Sequence, residues 1–426
     1  MIFKRMREQI LDKAIRGQLV PQLAEDGVVE QIGEAPAEVP FEIPQSWKWG
    51  TLENYVTINP STSKLDDNKE VSFLPMASVY PGFVSKFDRE ESKLWVNAKK
   101  GFSKFANGDV LLAKISPCFE NRKSCIVHNL INGFGAGSTE LIAMRPTELI
   151  YANYLLWYVK TKYVIDYCSI TFKGTVGQQR INPDRFKSMP IPVPPLAEQK
   201  RIASKIESLF GEIDCAEKAY EELQSLANVL KSQILQKAIQ GKLVPQLPED
   251  GVVEQIGKTP SEVPFDIPDS WKWVKFEHTC NCLDSMRVPI KQKERENLNK
   301  QYPYYGATGV IDYVDKYIFD GSFLLIGEDG ANLLSKSKDN AFIATGKFWV
   351  NNHAHIFDSN NVSELNYLAI VINAMHLNRY VTGSAQPKLT QKNLFSIPVP
   401  LPPLAEQKRI VAKVEALFEQ IDLMTK

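Results

Sequence analysis

PPLAEQKRIASKIESLFGEID at residues 194–214 recurs as PPLAEQKRIVAKVEALFEQID at residues 402–422, 208 positions on, with 15 of 21 residues identical. A second offset, of 224, joins ILDKAIRGQLVPQLAEDGVVEQIGEAPAEVPFEIPQSWKW at residues 10–49 to residues 234–273, with 31 of 40 identical. A fixed internal period exposes architecture that single-residue propensity misses. Between these anchors, from Trp49 to Pro194 and from Trp273 to Pro402, the halves show little alignable similarity, and the second interval is 16 residues shorter. A framework is duplicated while its inserts diverge, which suits one task performed twice on different targets. A repeated enzyme would keep two recognisable active sites.

The repeated framework reads as helix. Pro194 and Pro195 suit a helix start, and apolar residues follow at Ile202, Ile206, Leu209, Ile213, Ala216, Tyr220, Leu223, Ala227, Leu230 and Ile234, in alternating steps of four and three. Such a seam is the signature of a coiled coil, and Gly241 and Gly17 supply C-terminal stops. Ile410, Val414, Leu417, Ile421 and Met424 map by 208 onto the start of the seam, and Met6, Ile10 and Ala14 map by 224 onto its end. The two chain ends together rebuild the central helix. The expected fold is α+β: two globular α+β domains separated by an antiparallel coiled coil of long helices, in a pseudo-twofold cyclic arrangement with the terminal helices end to end. The expected boundaries are an N-terminal helix over 1–18, a first variable domain with its leading linker over 19–190, the central helix over 191–241, a second variable domain with its linker over 242–396, and a C-terminal helix over 397–426. The central helix is expected to fix the separation of the two domains. LVPQLAEDGVVEQIG and VPFEIPQSWKW read as extended linkers, with Trp47, Trp49, Trp271 and Trp273 packing where each linker meets its domain.

With 426 residues, 44% hydrophobic and 23% charged, the chain has room for two or three cores and is neither disordered nor a membrane bundle. Six irregularly spaced cysteines make no disulfide framework, and no export signal or membrane span is visible, so the expected compartment is the cytoplasm. Fifty basic residues balance fifty acidic ones, but unevenly. Residues 51–190 carry a net charge of plus five and 274–396 of plus one, leaving the framework at minus six. Basic clusters stand at Lys99, Lys100 and Lys104, at Arg122 and Lys123, at Lys173 and Arg180, and at Arg287, Lys291, Lys293 and Arg295. Interleaved with amides and aromatics, they suit phosphate neutralisation and base-edge contact.

Each insert mixes β-like runs (VLLAKI at 110–115; FLLIG at 323–327; FWV at 348–350) with a helical run (151–161; 364–375). Each ends in a Gly- and Gln-containing turn, FKGTVGQQRI at 172–181 and VTGSAQPKL at 381–389, in which the 208 offset pairs Gln178 with Gln386 and Arg180 with Lys388. GFGAGS at 133–138 lacks the Lys-Ser/Thr of a phosphate loop and leads into a strand-like run. His278 with Cys280 and Cys282, and His353 with His355, match no common zinc spacing. No convincing active site is visible.

At PPLAEQKRI, the LFxxID that follows, and the ILxKAIxGxLVPQL and IPxSWKW blocks, the chain resembles the specificity subunit of type I DNA restriction-modification systems over nearly its full length. FANGDVLLAKISPCFENRKS with GSTELIAMRP, and YYGATGVIDYV, GEDGANLL and WVNNHAHI, resemble two classes of target recognition domain. The resemblance implies a non-catalytic subunit that reads a bipartite, asymmetric site in double-stranded DNA, one half per domain. It implies docking of two methylation subunits, which carry S-adenosylmethionine, and of restriction subunits, which use ATP and Mg; no cofactor is expected on this chain. The NPPY/F motif of adenine methyltransferases is absent. The family provides no base-contacting residues to carry over, so the DNA-binding candidates follow from residue type: Lys114, Arg122, Lys123, Lys173, Gln178, Gln179, Arg180, Lys291, Lys293, Asn332, Gln386 and Lys388. A coiled-coil scaffold without DNA readout and a fused methyltransferase are the alternatives.

Overall fold

A computed structural model describes residues 2–61, 65–88, 91–175, 178–296, 298–361, 363–383 and 385–425. It forms two compact units, 1–219 and 220–426, divided within the helix Leu196–Ile239. That helix stops before Gly241 and the N-terminal helix Ile2–Ile15 before Gly17, both glycines at φ near +70°. A Cβ at either would collide with Pro268 or Pro44, so both backbone and space demand glycine.

Within the first unit the N-terminal helix runs antiparallel to the start of the long helix. Arg7 ion-pairs with Asp214 and Glu217, while Gln22, past the stop, reaches Glu198. Within the second unit the C-terminal helix Leu404–Met424 repeats this: Lys231 pairs with Asp422, and Gln246 reaches Glu406. The heptad seam is buried at its ends, at Ile202, Ile206, Ile213 and Ile234, but not throughout. Phe210 rather than Leu209 takes a buried place, because there the helix also faces the domain core and its apolar stripe widens. Ala216 is exposed, and Tyr220, Leu223 and Leu230 remain 39–47% exposed, between the last core residue of one unit and the first of the other.

The repeated AEQKR motif is explained contact by contact. Glu198, 1% exposed, accepts from Trp47 Nε1 at 2.9 Å and Gln22 Nε2 at 3.0 Å; Glu406, also 1% exposed, accepts from Trp271 at 3.0 Å and Gln246 at 2.9 Å. Gln199 accepts from the Tyr151 amide and donates to the Pro194 carbonyl, as Gln407 does with Glu364 and Pro402. Arg201 grips Asp26 with Nη1 at 2.8 Å, and Arg409 grips Asp250 at 2.9 Å. These bonds clasp the linker to the helix start, beside a two-stranded ribbon that closes each domain: Lys48–Thr51 with Pro190–Val193, and Lys272–Lys275 with Pro398–Leu401. All four linker tryptophans are buried. The hydrogen bond from its arginine is the first cause holding the carboxyls of Asp26 and Asp250 below the usual range. A carboxylate favoured by folding contributes stability above its unfolded value, about pH 4, and loses it as pH falls through the folded value. The melting temperature of the wild type is therefore expected to fall more steeply below about pH 4 than that of the D26N/D250N variant, as measured by calorimetry. Equal slopes would show that these pairs do not link folding to protons.

The inserts, unalignable in sequence, share a sheet. In the first unit strands lie in the order Val56–Ile58, Leu141–Pro146, Val110–Ala113, Ser124–Ile126; in the second, Cys280–Cys282, Ala354–Ser359, Phe319–Gly327, Ala341–Val350, extended by the hairpin Tyr302–Gly306 and Gly309–Val314. A helix follows the second of these strands in each case, Ala152–Val159 or Leu365–Ala374, and its tyrosine hydroxyl bonds the closing ribbon (Tyr154 to the Pro192 carbonyl; Tyr367 to that of Pro400). The sheet is covered on both faces: Val110 and Leu112 pack toward the helices, Leu111 and Ala113 toward a second cluster. The first unit adds a sheet in the order Glu91–Leu94, Glu70–Leu74, Phe134–Gly137, Ser103–Ala106, so GFGAGS is largely strand.

Candidate nucleic-acid interface

The common sheet builds the same backbone site in each unit. Pairing of Ala113 with Leu141 brings Lys114 opposite Glu140; pairing of Gly327 with Ala354 brings Glu328 opposite His353. The Lys114 amide donates to the Glu140 carbonyl and the Glu328 amide to that of His353, each at 2.8 Å. The late turn then docks alongside. Ile181 donates to the Lys114 carbonyl and Leu389 to that of Glu328; Ser116 donates to Gln179 and Gly330 to Pro387. Each turn is closed by a two-way amide exchange, Lys173 with Arg180 and Thr382 with Lys388. Gly174 and Gly383 make this closure possible, since a Cβ on either would collide with the carbonyl of Gln178 or Gln386. Val176, Gly177 and Ser384 of these turns lie outside the described residues.

Three positions thus match across the two units: Lys114 with Glu328, Glu140 with His353, Arg180 with Lys388. The turn cation is constant and the other two positions change charge. Arg180, about half exposed, holds Glu140 by Nε at 3.0 Å and Nη2 at 2.8 Å. The hydrogen bond from Arg180 leads in keeping the Glu140 carboxyl below its usual range, with Lys114 adding to it. Lys388 holds Glu328 at 3.1 Å. Burial acts to raise the Glu328 carboxyl, but bonds from Arg287 and Lys388 and the nearby His355 outweigh it. His353 meets Asp329 at 2.7 Å.

Of the residues chosen by type, Lys114, Lys173, Gln178, Gln179 and Arg180 come together in the first unit, and Gln386 and Lys388 in the second. Others are held elsewhere. Arg122 is buried; its Nη2 pairs with Glu8 at 2.7 Å, its Nε donates to the Lys160 carbonyl, and its plane lies over Phe83. Burial pushes its guanidinium down against the raising effect of Glu8. Lys123 donates to the Met76 carbonyl at 3.0 Å. Asn332 ties its own loop, accepting from the Lys338 amide and Ser337 and donating to Asn340. Lys291 and Lys293 are exposed beside the hairpin rather than the turn: Arg295, in the same short helix, pairs with Asp312. Cys280 is buried, and Cys282 accepts from Gln391.

Two buried side chains, Lys160 and His355, fix these loops. Lys160 donates to the carbonyls of Gly82, Arg122 and Ser124 at 2.8–3.0 Å, bracing 115–125 against the sheet. Burial pushes the Lys160 ammonium down to about 7, and its three acceptors match three N–H donors. In the second unit both ring nitrogens of buried His355 face acceptors, Asp284 at 2.6 Å and the Leu389 carbonyl at 2.8 Å, so the ring joins the turn to the sheet. Glu140 and Glu328 are not among the residues chosen by type, because phosphate neutralisation selects cations and amides, and His353 and His355 stand out in the sequence only as a pair without zinc spacing. The runs GSTE, GEDG and NNHAH held the signal.

The family model for the type I restriction modification DNA specificity domain matches residues 44–225 and 268–426. The chain belongs to that family and is a type I specificity subunit, a protein of DNA sequence recognition in restriction-modification. It is 27% identical to the type I restriction enzyme EcoAI specificity subunit of Escherichia coli over a 530-residue alignment spanning 98% of this chain and 89% of that one. Its fold resembles a chain solved in work on complex assembly and conformational transition of the type I R-M system (TM-score 0.68, 18% identity, 91% of this chain and 93% of that one). It also resembles the HsdS subunit from Thermoanaerobacter tengcongensis (TM-score 0.59, 18% identity, 91% and 93%).

Proposed function

We propose that each unit reads one half of a bipartite, asymmetric site in double-stranded DNA through its three matched positions, and that the chain directs methylation and restriction subunits to that site without chemistry of its own. One observation carries this reading: the backbone ties of the face are repeated bond for bond in both units, while the side chains they present are exchanged. A fixed scaffold with variable polar groups is what base-edge readout requires, since donors and acceptors specify while backbone contacts position. S-adenosylmethionine then belongs to the methylation subunits, and ATP and Mg to the restriction subunits. The exposed Leu223, Leu226, Val229 and Leu230 supply apolar surface for docking the methylation subunits.

Exchanging residues 274–396 for the corresponding insert of another family member tests the reading. Sequencing of methylated sites is expected to show one half of the recognised sequence replaced and the other retained. A change in both halves, or in neither, would reject independent readout. A scaffold indifferent to DNA predicts no sequence preference for any such chimera.

A further inference from the structure

We propose that Glu140 and Glu328 are intramolecular competitors of DNA phosphate, each holding the cation of its recognition turn so that only a matched base edge displaces it. The inference rests on the reading of these faces as DNA-reading, and it adds specificity-determining residues that carry the sign opposite to the ligand's counter-charge.

Three observations support it. First, the turn cation is bonded to a glutamate in both units, although the glutamates come from different matched positions, before one strand in the first unit and after another in the second. Inherited duplication would have kept the acid at one position, so the pairing is a repeated outcome rather than a copied residue. Second, the Glu140 carboxylate is not used to hold the fold: among the described residues, its hydrogen bonds go to Arg180 alone. Third, the pair answers a specific difficulty of exposed turns. Arg180, with Lys173 and Lys114 on the same face, would otherwise neutralise phosphates of any sequence. With Glu140 bonded, a phosphate can only exchange one anion for another, with little gain. A guanine edge also offers two acceptors to the arginine fork, but only where the base is matched, so whatever gain remains over the carboxylate depends on sequence.

Glu328 also holds Arg287 at 2.8 Å, so the clean test lies in the first unit. The full chain, assembled with its methylation subunits, would carry Glu140→Gln, and fluorescence anisotropy would follow a short random-sequence duplex and a duplex bearing the methylated site across a salt series. The random duplex is expected to bind about two- to fivefold tighter, the range of one exposed ion pair. Its log–log salt slope should steepen by about one, and the matched duplex should change less, so that discrimination falls. The double variant E140Q/R180A should bind random DNA no more tightly than wild type. Random-duplex affinity and slope that are unchanged or weaker in Glu140→Gln would overturn the inference. Should that variant lose its fold, Glu140→Asp, whose shorter reach breaks the bidentate bond, gives the same comparison. Wild type that shows no preference for the matched duplex would instead reject the DNA-reading assignment, and this inference with it.

Discussion

Lys160→Met is expected to destabilise the first unit by about 3 kcal/mol, the scale of leaving buried polar groups without partners. For a unit of this size that corresponds to a fall in melting temperature of about 6–12 °C. Methionine restores most of the volume, so the loss comes from the carbonyls of Gly82, Arg122 and Ser124, which lose their donor together. Arg122 is affected twice, because its side chain also bonds the Lys160 carbonyl and would then lie in a loosened loop. Lys162→Met, which removes an exposed ion pair with Asp166, serves as the control and should change stability by less than about 0.5 kcal/mol. Calorimetry of the two variants beside the wild type decides the matter. A Lys160→Met transition within 2 °C of wild type, on the same scale, would mean that water replaces the ammonium without cost and that the loop is not braced. Where the transition does fall, recognition by the first unit should weaken too, because 115–125 adjoins Lys114 and meets the turn through the bond from Ser116 to Gln179.

The difference between Lys160 and Lys162 shows where sequence reasoning stops. Two residues apart and chemically identical, one is fully buried and the other exposed, and nothing local distinguishes them. Arg122 is the same case. As part of a basic pair in a polar run it reads as a phosphate contact, and only the distant Glu8 and Lys160 remove it from the surface. What the sequence did disclose depended on comparison within the chain. The two offsets gave the helices, their glycine stops, the tryptophan burial and the pairing of Arg180 with Lys388, each of which needs only that like residues occupy like places. The shared sheet was hidden because strands buried on both faces show no polar alternation, so VLLA and LLIG constrain little beyond being apolar. Once such strands drift, their alignment survives in register alone. The exposed middle of the heptad seam was hidden for a related reason: a seam records what a helix can bury, whereas coverage depends on which neighbours reach it.

The framework allows a sharper test, because its two clasps are replicates in one molecule. Glu198→Ala removes the acceptor of Trp47 Nε1 and Gln22 Nε2, and Glu406→Ala that of Trp271 and Gln246. The tryptophans are buried in either case, so each indole N–H is left without water as well as without carboxylate. A loss of about 3 kcal/mol is expected for each, because a charged acceptor disappears and a buried indole N–H is stranded, while Gln22 and Gln246 keep the carbonyls of Gly17 and Gly241 as acceptors. The arginine–aspartate pairs one helical turn away remain and keep the linker near its place. Glutamine at either position keeps one acceptor oxygen but turns an amide N–H toward the second donor, so Glu198→Gln and Glu406→Gln should each show about half the loss. Because the clasps share no residue, the double alanine variant should lose the sum to within about 0.5 kcal/mol. Denaturant titration with tryptophan fluorescence reads both clasps directly. Matching losses would show that AEQKR is repeated because it fastens a linker to a helix twice over. Losses below about 0.5 kcal/mol in both alanine variants would leave the repeat without this explanation and return the motif to the surface as a docking sequence.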